Sequence, residues 1–420
     1  MGKTAVIATA VEIGTSQISI LVGEVTGDSV TVIGRGTAPS GEAMRKGEIR
    51  DMELISKAFE QAMAQADESS GGAVLGSAIV TQVISGGGVI CTTGVGTASV
   101  RNEAGIVGEA EMNEARCNAQ VIEITPGWQI INTDDIFWRL DGRPVGHPLN
   151  QRGRKLEVQV LIVLAPAAQV ANFSDLIRNS ELLNAKLYNA YAPICAKEGT
   201  LTDKEADDGA VLIDLGAGCT DYLVARDGGM VEAGTLQIGF DHVANDLAIG
   251  LGLSFGVCRK LLESGAVKTA IEQESPALMI QLPNGGPQEI PISRFEAIIN
   301  PRLQEIFEQV RKHIRTQGAL FSGVLTGGGA LHPGALELFS KTFNLPCRVG
   351  TVADATGSIT GLDSPRCTTV WGALKIAAYY YRSFSAGKGG SAFQRFLEGM
   401  NNIWIFLPRW AGKLWKAFKF

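Results

Sequence analysis

Apolar residues follow two different spacings along this chain, and the shorter spacing marks strands. Three apolar runs rich in β-branched residues, each followed by a glycine-rich turn, indicate buried strands at residues 5–13, 210–215 and 323–326. After the first two turns, apolar and polar residues alternate again at 17–24 and 221–225. These segments predict two β-hairpins about 200 residues apart, and such a repeat indicates a duplicated domain.

Helical spacing fills much of the remaining sequence. Apolar residues recur every three or four positions over residues 51–66, where Asp51 is the expected N-cap. The same spacing predicts helices at 240–251, 256–264, 293–316 and 370–381. Pro301 is expected to bend or split the longest of these helices. The polar and acidic residues 197–209 are predicted to form a loop that crosses between the two halves.

The chain between the two hairpins is predicted to contain a small inserted subdomain. The pattern there indicates one helix, at 108–119, and strands at 78–83, 89–97, 129–132 and 155–163. A helix at 167–178 is then expected to return the chain to the main body.

Length and charge narrow the class of protein. The chain has 420 residues, more than one hydrophobic core usually organises, so two or more domains are expected. Its net charge of −6 argues against general nucleic-acid binding, which needs a basic surface. The 7 cysteines and 4 histidines show no metal-ligand spacing, so free buried thiols and surface or capping histidines are expected. No apolar run reaches the roughly 18 residues that cross a bilayer.

The glycine turns suit the binding of a triphosphate. Backbone N–H groups must point at phosphate oxygens with no side chain in the way, and glycine meets that requirement. Hydroxyl groups in the turns add donors, and a carboxylate at a strand end, here Asp214, can hold Mg²⁺ through water. Glu12 is a second candidate for the metal. The residues assigned to the nucleotide are Gly14, Thr15, Ser16, Gly216, Gly218, Cys219, Thr220, Gly327, Gly328 and Gly329.

The three motifs resemble those of one superfamily, in the same order. Residues 12–16 are similar to the first phosphate loop of the actin, hexokinase and heat-shock-chaperone superfamily, 214–221 to its second loop, and 325–334 to its adenosine motif. Within that superfamily, residues 238–246 and 293–302 are most similar to FtsA, a family of bacterial cell-division proteins. This resemblance covers nearly the whole chain.

The resemblance implies an actin-like (ribonuclease-H-like) duplicated α/β fold. Two lobes would flank a nucleotide cleft, with a displaced subdomain in the first lobe and a C-terminal amphipathic helix. The expected divisions are 1–79, 167–200 and 369–382 for the first lobe, 80–166 for the inserted subdomain, 201–239 and 321–368 for the second lobe, 240–320 for its helical subdomain, 383–403 for a flexible linker and 404–420 for the terminal helix.

The resemblance also implies a function. An FtsA-like protein would bind ATP and Mg²⁺, associate with copies of itself as actin-like protofilaments, and tether filaments of the tubulin-like protein FtsZ to the cytoplasmic face of the membrane at midcell. Asn300 and Arg302 lie in the stretch similar to the FtsA region that receives the FtsZ C-terminal peptide. A PilM-like platform for pilus assembly and an actin-fold ATPase machine are the alternatives. The basic, aromatic C-terminus favours FtsA over PilM.

A few positions depart from the superfamily pattern. Glu12 stands where aspartate is usual, so one more methylene separates its carboxylate from the backbone. In the helix on the adenine side, Cys258 and Leu261 stand where glutamate and lysine are usual, while Arg259 and Lys260 are expected to face another way. ATP binding with at most weak ATPase activity is therefore expected, and no residue is assigned as catalytic.

Residues 404–420 carry aromatic and basic side chains on opposite sides of a predicted helix. Advancing about 100° per residue from Pro408 separates an apolar arc from a basic arc. Aromatic residues at the headgroup boundary and lysines toward anionic lipid are what an interfacial helix requires. Docking on a partner protein or on the chain itself are the alternatives. The residues assigned to the membrane are Phe406, Arg409, Trp410, Lys413, Leu414, Trp415, Lys416, Phe418 and Lys419.

Overall fold

The structure is a computed structural model. It describes residues 5–27, 29–180, 182, 185–281, 285–316, 318–352, 354–357 and 359–385. The predicted terminal helix at 404–420 and the predicted linker beyond residue 385 lie outside the described residues. Among the helices that the structure does describe, none has the length and apolar character needed to cross a membrane.

The strands of the described chain are β1 (Val6–Ile13), β2 (Gln17–Thr26), β3 (Ser29–Pro39), β4 (Met44–Arg45), β5 (Glu48–Ile49), β6 (Ser77–Ile84), β7 (Ile90–Ser99), β8 (Trp128–Leu140), β9 (Arg143–Val145), β10 (Lys155–Pro166), β11 (Lys186–Tyr191), β12 (Ala210–Leu215), β13 (Thr220–Arg226), β14 (Gly229–Leu236), β15 (Ala277–Gln281), β16 (Pro287–Pro291), β17 (Ser322–Thr326) and β18 (Cys347–Val349). The α-helices are α1 (Met52–Ser69), α2 (Glu109–Ala119), α3 (Ala167–Arg178), α4 (Ala192–Thr200), α5 (Asp203–Asp208), α6 (Phe240–Leu251), α7 (Phe255–Glu263), α8 (Ala266–Glu272), α9 (Ile292–His313), α10 (Ala335–Phe343) and α11 (Thr368–Ser385).

Two five-stranded sheets with the same topology confirm the predicted duplication. The first sheet has the order β3-β2-β1-β6-β11 and the second has the order β14-β13-β12-β17-β18. In each sheet the predicted hairpin pairs antiparallel, and the strand beside its first arm pairs parallel to it. The glycine turns after β1, β12 and β17 therefore leave their sheets at corresponding ends.

A four-stranded sheet, in the order β7-β10-β8-β9, carries helix α2 and forms the inserted subdomain. The expected boundary at residue 80 falls inside β6, which pairs with β1 and β11 in the first sheet. The strands of the inserted sheet therefore begin at Ile90. The apolar run of β6 indicates a strand but not which sheet receives it, because buried strands of both sheets have the same composition.

Two predictions on helices need correction. Residues 197–209 are not a loop, because α4 continues to Thr200 and α5 follows at once, started by a capping box in which Thr202 and Glu205 exchange hydrogen bonds. Helix α9 is not split at Pro301 and runs unbroken through it. The buried side chains on both sides of Pro301, among them Phe295, Ile299 and Leu303, hold this helix against the second lobe.

Helix α11 closes the first lobe through a contact that requires glycine. It packs on β1, β6 and α4. A Cβ atom on Gly372 would lie 1.7 Å from the carbonyl oxygen of Cys195, and one on Gly199 would lie 1.9 Å from that of Thr368. Since real Cβ contacts are never so short, only glycine lets α4 and α11 approach this closely. The approach holds the last helix against the strand that leads into the first glycine turn.

Candidate functional site

A cavity of about 540 Å³ lies between the two lobes. The three glycine motifs converge on it, as do a pair of acids at strand ends, Glu12 and Asp214. Of the residues assigned to the nucleotide, those that line the cavity are Gly14, Thr15, Ser16, Gly216, Gly218, Cys219, Gly327, Gly328 and Gly329. Thr220 is not among the lining residues: it is fully buried, and its hydroxyl donates to the Ile238 carbonyl at 2.7 Å.

The first glycine turn is held open by its own hydrogen bonds. The Gly14 N–H donates to the Gln17 carbonyl at 3.0 Å, and the Ser40 hydroxyl donates to the Gly14 carbonyl at 2.7 Å. The Thr15 hydroxyl accepts a hydrogen bond from the Gly47 N–H at 3.0 Å. These bonds fix the turn before any ligand arrives, so little ordering is needed on binding.

The second turn lies against the first with no room for a side chain. A Cβ atom on Gly218 would lie 2.4 Å from Thr15 Oγ1 and 2.8 Å from the Lys46 Cα. The Gly216 and Ala217 carbonyls accept the first N–H groups of α6, from Phe240 at 3.0 Å and Asp241 at 2.8 Å. The turn is therefore fixed at the start of α6, where backbone partial charge is positive.

The triple glycine passes equally close to the second sheet. Gly327 has φ +83°, and a Cβ there would lie 2.2 Å from Asp214 Oδ1. A Cβ on Gly329 would lie 2.4 Å from Leu215 and 2.9 Å from Phe240. A side chain on Gly327 would therefore collide with Asp214, and one on Gly329 would collide with Leu215 and Phe240.

Three acidic side chains at the base of the cavity are held away from bulk water. Burial, then Asp214, then Asp221 raise the pKa of Glu12 to about 8. Burial and then Asp214 raise the pKa of Asp221 to about 7, while hydrogen bonds from Ser85 and Thr235 oppose the rise. Burial also raises the pKa of Asp214, against the hydrogen bond that Thr369 donates at 2.6 Å. A cation here would lower the free energy of all three carboxylates.

The residues fit a magnesium ion that keeps most of its water. Glu12 Oε2 is buried without a hydrogen-bond partner, so one acceptor faces the cavity unused. Among the described residues no group of three or more His, Cys, Asp or Glu is placed to ligate a metal directly. Mg²⁺ dehydrates reluctantly and is usually held by few carboxylates together with phosphate and water. Asp214 and Glu12 would hold it in this way, and the ion would offset phosphate charge.

Helix α7, which is expected to lie on the adenine side, has a different rotation from the predicted one. Cys258 is fully buried in the core of the second lobe, and Leu261 packs against that core. Arg259, Leu262 and Glu263 line the cavity instead. One residue along a helix turns a side chain by about 100°, and this turn separates Cys258 and Leu261, which pack in the core, from Arg259 and Leu262, which line the cavity.

His332 also differs from its predicted role. It was expected at the surface or at a cap, as His242 is, whose Nδ1 accepts from the Gly239 N–H at 3.2 Å. His332 instead is buried in the cavity wall, 5.8 Å from the Phe240 ring, and its Nε2 has no partner. Its neighbours in sequence are small or apolar, and nothing in their spacing indicates this placement.

Comparison with known proteins agrees with these motifs. The family model described as "Cell division protein FtsA" matches residues 211–372. "Cell division protein FtsA" of Neisseria meningitidis serogroup B is 26% identical over 409 residues, which are 95% of this chain and 96% of that protein. The protein of the same name from Borreliella burgdorferi is 28% identical over 360 residues, covering 82% and 84%. The resemblance to the FtsA family is confirmed.

Solved structures confirm the actin-like fold of this FtsA-like chain. A chain of the PilM–PilN type IV pilus biogenesis complex superposes with a TM-score of 0.59 at 16% identity, over 88% of this chain and 98% of its own. MreB5 of Spiroplasma citri bound to ADP superposes with a TM-score of 0.51 at 12% identity, over 91% and 99%. At such identities the likeness concerns the fold alone.

The residues assigned to the FtsZ peptide lie on α9, in the helical subdomain of the second lobe. Arg302 donates to both carboxylate oxygens of Asp246 on α6, at 2.5 and 3.1 Å, and to Glu305 at 2.6 Å. The Arg302 guanidinium is therefore already hydrogen-bonded to both acids, although 25% of the Arg302 side chain is exposed to solvent. Asn300 is half-buried on the same helix. The membrane residues between Phe406 and Lys419 lie outside the part of the chain that the structure describes.

We expect His332 to weaken the fold in acid. Burial lowers the pKa of His332 to about 4, from 6.5 for a free side chain. Between these values the unfolded chain binds a proton that the folded protein does not. The stability that neutral His332 contributes is therefore complete above pH 6.5 and is lost as the pH falls toward 4.

The measurement is the thermal unfolding midpoint across that pH window. The midpoint of the wild-type protein should fall more steeply than that of His332→Phe, while His313→Gln, at the exposed end of α9, should keep the wild-type slope. Equal slopes for the wild type and His332→Phe would contradict the assignment.

Proposed function

We propose that this chain binds Mg²⁺-ATP in the cleft between its lobes. The observation that carries the proposal is the convergence of three glycine motifs from two sheets on one cavity, with Asp214 beside them. At Gly218 and Gly327 a Cβ would strike neighbouring atoms, so the walls are backbone and can approach phosphate closely. The raised pKa values of Glu12 and Asp221 support a cation at the base, since burial favours the protonated forms of these acids and a cation would favour the charged forms.

We further propose that the protein anchors division filaments in the manner of FtsA. It would associate with copies of itself, bind the C-terminal peptide of FtsZ on the helical subdomain, and attach to anionic lipid on the cytoplasmic face of the membrane at midcell. The support is the resemblance to FtsA over most of the chain, together with the apolar and basic arcs of residues 404–420. Fluorescence imaging separates a midcell ring from the polar foci of pilus machinery.

We expect ATP turnover to be at most weak. Glu12 stands where aspartate is usual in the superfamily. Ala192, which lines the cavity at the start of α4, has no group that could act as a base. The positions of Cys258 and Leu261 no longer argue for weak turnover, because neither residue lines the cavity. Phosphate release near the roughly 10 s⁻¹ median of enzymes would favour the alternative, an ATPase machine.

Neutralising Asp214 should weaken nucleotide binding. Asp214→Asn keeps the shape of the side chain and an oxygen for the Thr369 hydroxyl but removes the charge that would face the hydrated ion. Calorimetry with ATP and Mg²⁺ should show a loss of at least about tenfold in affinity, or about 1.4 kcal/mol. Asp208→Asn makes the same charge change on exposed α5 and should bind as the wild type does. No binding to folded wild-type protein at millimolar ATP would contradict the proposal.

Reversing the charge of Arg302 should weaken binding of the FtsZ C-terminal peptide. Arg302→Glu would leave Asp246 and Glu305 without their partner and repel an acidic peptide. Fluorescence anisotropy with the FtsZ C-terminal peptide should show a loss of about tenfold or more. Arg311→Glu makes the same change on another face of α9 and is the matched control. Unchanged affinity in Arg302→Glu, or equal losses in both variants, would exclude this site.

Removing residues 404–420 should release the protein from anionic vesicles. Burying one large apolar side chain contributes about 1.5–3 kcal/mol, and each lysine near anionic lipid about 1 kcal/mol. Trp410→Glu with Leu414→Glu should release the protein as well, whereas high salt should only weaken attachment, since screening acts on the charges alone. Vesicle sedimentation measures each case, with the thermal midpoint as the check on folding. Equal sedimentation of truncated and intact protein would rule out the tail as anchor.

A further inference from the structure

Helix α7 of the second lobe reaches across the mouth of the cavity to the first lobe. Arg259 Nη2 donates to the Thr15 carbonyl at 2.9 Å, and its Nη1 donates to the Gly41 carbonyl at 3.2 Å. Both acceptors belong to the segments that form and support the first glycine turn. The guanidinium therefore ties the first phosphate loop to the opposite lobe.

Arg259 is fixed on its own side as well. Its Nε lies 3.0 Å from Glu263 Oε1 and 3.4 Å from Asp241 Oδ1, and its side chain keeps only 14% of its exposure. The same Glu263 oxygen accepts a hydrogen bond from the Ser16 hydroxyl at 2.7 Å. We call these bonds from Arg259 and Glu263 to residues 15, 16 and 41 the mouth contact.

A planar guanidinium suits this position better than an ammonium. It presents its donors in a fixed fork, so one group can meet two carbonyls on one side and a carboxylate on the other. Charge-assisted hydrogen bonds of this kind are stronger than neutral ones, and more so where water is excluded. Carbonyl oxygens that accept from Arg259 also repel phosphate oxygens less, because the cation offsets their partial charge.

The lobes are joined at the other end of the cavity too. There the Ser85 hydroxyl of the first lobe donates to Asp221 of the second at 2.5 Å. With both ends bonded, the two lobes are held together on either side of the cavity. The mouth contact joins α7 to the first glycine turn, whereas the Ser85–Asp221 bond lies at the base of the cavity.

We propose that Arg259 is a positioning residue that holds the first phosphate loop against the second lobe, so that opening of the mouth contact sets the rate at which nucleotide leaves. The proposal rests on nucleotide binding in the cleft. Arg259 acts through the backbone of Thr15 and Gly41. Glu263 keeps Arg259 in place and also holds the Ser16 hydroxyl, which must change partner to donate to phosphate.

Release kinetics test the proposal in the full chain. A fluorescent ATP analogue with Mg²⁺ is bound and then displaced by excess ATP. Arg259→Ala should release it at least about tenfold faster, as expected for the loss of a charge-assisted hydrogen bond, while the association rate changes much less. Lys260→Ala removes the neighbouring cation on the same helix, outside the cavity lining, and should leave release unchanged. Glu263→Gln keeps the helix surface and should give an intermediate rate.

Hydrogen exchange without nucleotide tests the mouth contact independently. Amides of residues 14–16 and 41–43 should exchange faster in Arg259→Ala than in the wild type or Lys260→Ala, while those of α1 stay unchanged. If the wild type binds no nucleotide, the proposed function fails, yet exchange still decides whether the contact exists. Wild-type release from Arg259→Ala, or wild-type exchange in its phosphate loop, overturns the proposal. If Arg259→Ala does not fold, the release rate and amide exchange of Arg259→Lys and Glu263→Gln are compared with those of the wild type instead.

Discussion

The close approach of two glycine turns determines how the rest of the cleft is built. Gly218 lies so near Thr15 and Lys46 that no side chain fits between the turns. Because each turn directly follows the first strand of its own sheet, this contact aligns the ends of β1 and β12 across the lobes. The acids at those strand ends, Glu12 and Asp214, then face one cavity. The packing of one backbone turn against the other thus brings these buried acids close together.

The acids at the base of the cleft are buried close together, which disfavours their charged forms. Burial raises the pKa values of all three acids, Glu12, Asp214 and Asp221, and Asp214 further raises those of the other two. Of the three, Asp214 and Asp221 accept hydrogen bonds from hydroxyl groups. A protein selected for stability alone would replace such acids with apolar groups. A bound cation would offset this cost, so the three acids favour the proposed magnesium site more than they favour the stability of the fold. The orphaned Glu12 oxygen is the strongest local sign of this.

Sequence reasoning succeeded where the signal is local and failed where it depends on tertiary contacts. The predicted helix at 240–251 coincides with α6, and Asp51 caps α1 by accepting from Glu53 and Leu54 N–H groups, because periodicity and capping act within a few residues. The glycine turns were recognisable for the same reason. The rotation of α7, the partner of Arg302 and the burial of His332 depend on contacts with distant elements. No spacing rule reports those contacts.

A series of part-buried hydrogen bonds connects the base of the cleft to the inserted subdomain. Asp221 accepts from Thr235, whose hydroxyl lies 3.1 Å from the Tyr191 hydroxyl, and Tyr191 in turn is 3.8 Å from the Cys91 thiol on β7. The Tyr191 N–H also donates to Asn132 of β8 at 2.6 Å. Where water is excluded, each hydroxyl in this series has few other hydrogen-bond partners. A change in the charge of Asp221 therefore alters the hydrogen bonds that Thr235 and Tyr191 can donate. The inserted sheet and the cleft are therefore linked through this series of hydrogen bonds.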